Sequence, residues 1–332
     1  MNRPTTLRTI ALSAILLLAA ACAGNRPAPN QIFLMPAPGV YAEGRIDPFI
    51  DNDPISRGVQ PSILFATDRQ PAEPGDKSYD YFTHRRGGVL RLGVAEIDFG
   101  MDAGMAWEEV RRISLLQNRT SDYPLAVSGV RVFGVLDGTI NALNDTIEIS
   151  PEPGRQFTEE IDRRLAISPI KDVYIYVHGY KVNFENPVLV ASELWHFLGY
   201  NGVFIAYSWP TKASLWTYLS DVDSAINTAR SLRTLLLHVA RHTDVERIHV
   251  IGYSMGTRAV SRMLADLGMF GYFLSQEDIE EKAKLGNVFL IGSDLDRSIL
   301  SGYFKDGSLR IPDSLTLYVS SVDEALRSSK RL

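Results

Sequence analysis

Gly252-Tyr253-Ser254-Met255-Gly256 places a hydroxyl between two glycines. Ile248, Val250 and Ile251 precede it as an apolar, β-branched run, which predicts a buried strand. Ala259, Val260, Met263, Leu264 and Leu267 follow at helical spacing. A serine on a sharp turn between strand and helix presents its oxygen at the carboxyl end of a sheet. The glycines keep Cβ atoms out of the crowded positions around that turn. The chemistry this allows is acyl transfer, with Ser254 as nucleophile. The plainer reading is a glycine-rich turn whose serine caps the next helix.

A serine nucleophile requires a base, an acid that orients the base, and donors for the oxyanion. One donor is the backbone N–H after the nucleophile, here Met255. A second is expected in the loop after an earlier strand, where His178-Gly179-Tyr180 stands. Gly179 lets the backbone approach a substrate, and the N–H of Tyr180 or Lys181 is the candidate donor. His178 is read as ordering that loop rather than as a base. No HExxH, no cluster of His and carboxylates and no glycine-rich phosphate loop occurs, so neither metal nor cofactor is expected.

The elements that must position these groups begin at residue 171. Val173–Val177, Val203–Trp209, Arg247–Gly252, Val288–Gly292 and Leu315–Ser320 read as strands. Between them lie a helix opened by Asn186-Pro187 and ended by Gly199, a long amphipathic helix over Asp221–His242, and the helix after the elbow. A polar, helical stretch lies between 272 and 285. Strands alternating with helices predict an α/β fold with a mostly parallel sheet covered on both faces. Active groups in such sheets gather beyond the carboxyl ends of the strands. Upstream, Ser62–Arg69, Val89–Phe99, Leu125–Val135 and Thr146–Ser150 read as strands and Trp107–Leu115 as a helix, so this part is strand-rich. Trp195, Trp209 and Trp216 are expected in the core rather than in a pocket.

The chain has 332 residues, 45% hydrophobic and 22% charged, enough for one large domain with an extension. Net charge is −5 without a long basic run, so nucleic acid is not an expected partner. Arg3 and Arg8 precede an apolar stretch over Ile10–Ala21, too short to span a bilayer comfortably. Ala19-Ala20-Ala21 then leads to Cys22, the single cysteine. This resembles a bacterial lipoprotein signal, in which Cys22 becomes the lipidated first residue. Ordinary secretion and an uncleaved anchor are the alternatives. Ala23 after the cysteine points to the outer membrane, by the same resemblance. Removal of residues 1–21 takes the balance to about −7. The expected organisation is a signal over 1–21, a tether and irregular segment over 22–60, a strand-rich part over 61–170, and a core over 171–332.

Several ordered motifs together resemble an uncharacterised bacterial α/β-hydrolase family of the esterase/lipase superfamily. They are Val177-His178-Gly179-Tyr180 with Phe184, Tyr207-Ser208-Trp209-Pro210, and the Ser254 elbow. Ile63–Arg69 and Leu92–Ala95 resemble that family's amino-terminal extension, and Ser293–Asp296 and Tyr318–Leu326 its late strand ends. Lys181 stands where the family usually has asparagine. The resemblance implies an α/β-hydrolase fold and a serine hydrolase acting on small-molecule or lipid esters. It implies Asp323 as the acid, with Asp294 as the alternative. It also implies a further strand and a histidine-bearing loop after the Asp323 segment, and no histidine follows His249 here. The core is therefore expected to be incomplete at its carboxyl end and the chain slow or inactive. A tethered binding or scaffold protein on the same fold is the competing expectation. In both cases the location expected is the cell envelope, through a lipid anchor at Cys22.

Overall fold

The computed structural model describes residues 31–50, 53–102, 104–140, 147–211, 218–293 and 295–319. The chain divides into two compact units, Met1–Ile32 and Phe33–Leu332. The first is described only at residues 31–32.

One sheet organises the fold. Its strands are β1 (Ile32–Phe33), β2 (Ser62–Pro71), β3 (Phe82–Asp98), β4 (Pro124–Val135), β5 (Asp172–Val177), β6 (Val203–Ser208), β7 (Arg247–Tyr253), β8 (Leu285–Ile291) and β9 (Ser314–Tyr318). Their order is β1-β4-β3-β2-β6-β5-β7-β8-β9. From β2 through β6, β5, β7, β8 and β9 every pairing is parallel, while β2-β3 and β3-β4 are antiparallel. The strand order reverses at β5, and it is beyond the carboxyl ends at such a reversal that α/β sheets bind ligands.

The described helices are α1 (Gly39–Ala42), α2 (Trp107–Ser114), α3 (Glu152–Ile167), α4 (Glu185–Phe197), α5 (Tyr218–His242), α6 (Gly256–Phe270), α7 (Gln276–Ala283) and α8 (Arg297–Lys305). Side chains alternate between the faces of a strand, so period-two sets choose a layer. Leu64, Ala66, Val173, Ile175, Val177, Val203, Ile205, Tyr207, Ile248, Val250, Val288 and Leu290 all enter one buried cluster. That cluster is closed by Phe157, Ile161 and Leu165 of α3, by the apolar stripe of α5 from Ala225 to Val239, and by Ala259, Val260, Met263 and Leu264 of α6. Residues of the opposite phase, such as Tyr174 and Phe204, stack on each other on the other face. The crossover β5-α4-β6 runs opposite in direction to β6-α5-β7. Right-handed crossovers therefore put α4 and α5 on opposite faces. On the α4 side, α2 joins through the Ser114–His196 hydrogen bond.

Several expectations shift. The expected strand over Val89–Phe99 falls, up to Asp98, within a single 17-residue strand, β3 (Phe82–Asp98). Residues 147–150 are not a strand; they lead into α3, a helix absent from the strand-rich reading of 61–170. The α4 helix starts at Glu185 rather than at Pro187, because Asn183 Oδ1 accepts from Asn186 N and supplies the cap one turn earlier. Gly199 closes it at φ 67°, as its position suggested. Within the irregular segment, residues 33–50 pack on the domain. Leu34, Ala37 and Phe49 are buried, and Arg119 Nη1 donates to Leu34 O (2.7 Å) and Met35 O (2.8 Å). Trp195 and Trp209 are buried as expected, and Trp216 lies outside the described residues. No described helix is long and apolar enough to cross a membrane.

Candidate active site

Ser254 follows the last residue of β7, with φ at +49°. A non-glycine residue in the left-handed region costs on the order of 1–2 kcal/mol and persists only where its surroundings enforce it. Here they do. Ser254 N donates to Ile291 O (2.8 Å) at the end of β8. Thr257 Oγ1 donates to Ser254 O (2.6 Å) and lies 2.9 Å from Ser293 Oγ. A Cβ at Gly256 would fall 2.5 Å from Val177 O and closer still to His178 O. A Cβ at Gly252 would meet Val260 Cγ2 at 3.0 Å. The elbow thus presses on the end of β5 with no room for a side chain at Gly256 and little at Gly252. Ser254 itself is half-buried, and its Oγ bonds no described residue.

The loop after β5 lies against this serine. A Cβ at Gly179 would stand 3.0 Å from Ser254 Cβ, so glycine is what lets the loop close on the elbow. Met255 N–H stands at the start of α6, where helical geometry leaves backbone donors without intrahelical partners. Gly179, Tyr180, Met255 and Ser254 are thus brought together at the carboxyl edge. Lys181 is excluded as the second donor: its N–H is given to Thr211 Oγ1 (2.8 Å), which in turn donates to Asp221 Oδ2 (3.0 Å). Lys181 also takes a positive φ of 69°, as the asparagine usual there would do readily.

His178 orders the loop. Its ring is buried and stacked on Trp209, with centroids 5.1 Å apart and planes at 7°. Burial, then the nearby Arg69 charge, hold it well below the usual imidazole range. Nδ1–H donates to Gly179 O, and Nε2 faces Trp209 O. Trp209 Nε1 returns a bond to His178 O (2.7 Å).

The other histidines bond groups other than Ser254. His249 Nδ1 accepts from Asn287 N (2.9 Å) and its Nε2 donates to Asp172 Oδ2 (3.2 Å). Asp172 opens β5, so this pair belongs to the amino edge of the sheet. His196 is buried between Tyr200 OH and Ser114 Oγ, and burial lowers it to about 3. His84 meets Tyr79 OH (2.6 Å), His238 faces Gly154 O (3.3 Å), and His242 donates to His238 O (3.0 Å). Both candidate acids, Asp294 and Asp323, lie outside the described residues, as does Cys22. Of the described neighbours of Asp294, Ser293 reaches the elbow by touching Thr257, while Gly292 N donates to Tyr318 O (2.9 Å) at the end of β9.

A family described as "Alpha/beta hydrolase of unknown function (DUF900)" matches residues 154–332. This chain belongs to that family. An uncharacterised protein of Nostoc sp., alr1448, is 24% identical over 149 residues, which cover 38% of this chain and 39% of that protein. The match thus covers well under half of that relative's length. The family assignment fixes an alpha/beta hydrolase fold and agrees with the sheet order, the crossovers and the elbow.

Three parts of the site were not singled out from sequence. Thr211 and Asp221 bracket the Lys181 amide, Thr257 ties the elbow to β8, and Arg69 lies buried behind the loop. Only Arg69 left a signal: a charge pair, Asp68-Arg69, ends an otherwise apolar strand.

Proposed function

We propose that the protein is a serine hydrolase that cleaves carboxylic esters through an acyl-enzyme on Ser254. The observation that carries this is a half-buried serine at φ +49°, on a strand–turn–helix elbow, with Gly179 against its Cβ. Ser254 Oγ attacks the acyl carbon and gives its proton to a base. The Met255 N–H and the Tyr180 region hold the oxyanion. The alcohol departs with the proton, and water then releases the acid by the same path. Asp323, or Asp294 in its place, orients the base. Each histidine of this sequence already bonds another described group, so none is assigned as that base.

The anchor belongs to the same proposal: Cys22 carries lipid, and the hydrolase works at the cell envelope on small-molecule or lipid esters. Turnover of p-nitrophenyl esters of graded chain length tests the reading. A rate well above buffer that disappears in Ser254→Ala is expected. A rate unchanged by that substitution contradicts it. The engagement of all six histidines supports a second reading, an impaired hydrolase fold that binds without turnover. Saturable binding of an ester with no product over hours would favour it.

A further inference from the structure

Arg69 is wholly buried near the end of β2, yet it belongs to no mechanism described above. The strand is irregular at this point. Its register with β3 shifts between Thr67, opposite Arg91, and Arg69, opposite Arg86. Such bulges re-aim a side chain. Gly87 makes room for this one, since a Cβ there would fall 2.6 Å from Arg69 O. Thr67 Oγ1 fixes the bend by donating to Ser208 O (2.6 Å) and accepting from Arg69 N (3.2 Å). The guanidinium is thereby turned beneath the loop that follows β5.

A buried guanidinium is costly unless its donors are used. Nε donates to Ser208 Oγ (3.0 Å), Nη1 to Thr83 O (3.4 Å), and Nη2 to Val182 O (3.0 Å) and Asn183 O (3.5 Å). Two of these acceptors are carbonyls of the loop that holds Gly179 and Tyr180. Burial lowers Arg69 only to about 10, so it is charged at neutral pH. The adjacent carboxylate, Asp68, is turned to a different partner, Thr228 Oγ1 (2.5 Å). The loop is thus braced at His178 O by Trp209, at Lys181 N by Thr211, and at Val182 and Asn183 by Arg69.

We propose that Arg69 is a positioning residue: its guanidinium fixes the 178–184 loop against Ser254, and acyl transfer at Ser254 depends on that fixing. The inference rests on the reading of Ser254 as nucleophile. Arginine is required because acceptors on three segments need a planar fork, and a lysine nitrogen reaches fewer of them.

Two measurements on the full chain test it. The first is the rate of fluorophosphonate labelling at Ser254 in wild type, Arg69→Met and Arg69→Lys. The second is amide hydrogen exchange over residues 178–184. Labelling at least tenfold slower in Arg69→Met is expected, with partial recovery in Arg69→Lys and faster exchange confined to the loop. Labelling within twofold of wild type, or faster exchange spread evenly over the sheet, would overturn the proposal. Should Arg69→Met not fold, Arg69→Lys decides: wild-type labelling with wild-type exchange overturns it. A wild-type chain that does not label at Ser254 sinks the nucleophile reading instead, and loop exchange still judges Arg69.

Discussion

Strand β7 carries a histidine near its start and leads into a serine just past its end, and the two are treated in opposite ways. At the amino edge, His249 is buried, stacked on Tyr174 (4.9 Å), and bonded through both ring nitrogens. At the carboxyl edge, Ser254 is half-buried, in a disfavoured backbone region, with its hydroxyl bonded to no described residue. Residue type alone would have nominated both for catalysis. Environment separates them: a group whose bonding capacity is spent holds structure, whereas one kept unspent at a backbone cost is a candidate for chemistry.

The sharpest way to break this contrast is to crowd the elbow. Gly256→Ala sets a methyl group into the carbonyls of Val177 and His178. A loss of about 3 kcal/mol or more in a denaturant melt is expected. A loss under about 1 kcal/mol would mean that the elbow is looser than described.

At the other end, His249→Ala strips the partners from Asp172 and from Asn287 N–H. A loss of about 2 kcal/mol is expected, with Ser254 labelling within twofold of wild type at a temperature where both are folded. Selective loss of labelling would place His249 in the chemistry and erase the contrast.

A third test concerns Asp68, near the carboxyl end of β2, which burial raises to about 6. The folded state then holds this proton more tightly than the unfolded chain, whose aspartates titrate near 3.9. Its contribution is present below about pH 4 and fades as pH rises through 6. The stability of Asp68→Asn relative to wild type should therefore rise by ~2 kcal/mol between pH 4 and pH 8. Melts at the two pH values that differ equally from wild type would refute it.

The smallest effect should come from Ser254→Gly. Relief of the +49° backbone is expected to stabilise by up to about 1 kcal/mol, less the added freedom of the unfolded glycine. A clear destabilisation would argue that the serine is there for structure.

Much of the fold was legible in the sequence because its signals were local. Apolar β-branched runs marked β5 to β9, and helical spacing marked α5 and α6. The α3 helix was hidden because Pro151, Pro153 and Gly154 open it and its apolar residues, Phe157, Ile161 and Leu165, are widely spaced among charges. The serine and its glycines were legible because their spacing is the structure. The braces were not. Thr211 meets Lys181, and Arg69 meets Val182, across 30 and 113 residues, and nothing in local pattern announces such pairings. The Lys181 amide was misjudged for the same reason: its partner is a distant threonine hydroxyl.

The nucleophile reading is tested most directly by treating the intact protein with a fluorophosphonate probe and mapping the adduct by mass spectrometry. The account predicts one adduct, on Ser254, absent in Ser254→Ala and retained in His249→Ala. An adduct on another residue, or one that survives Ser254→Ala, would contradict it.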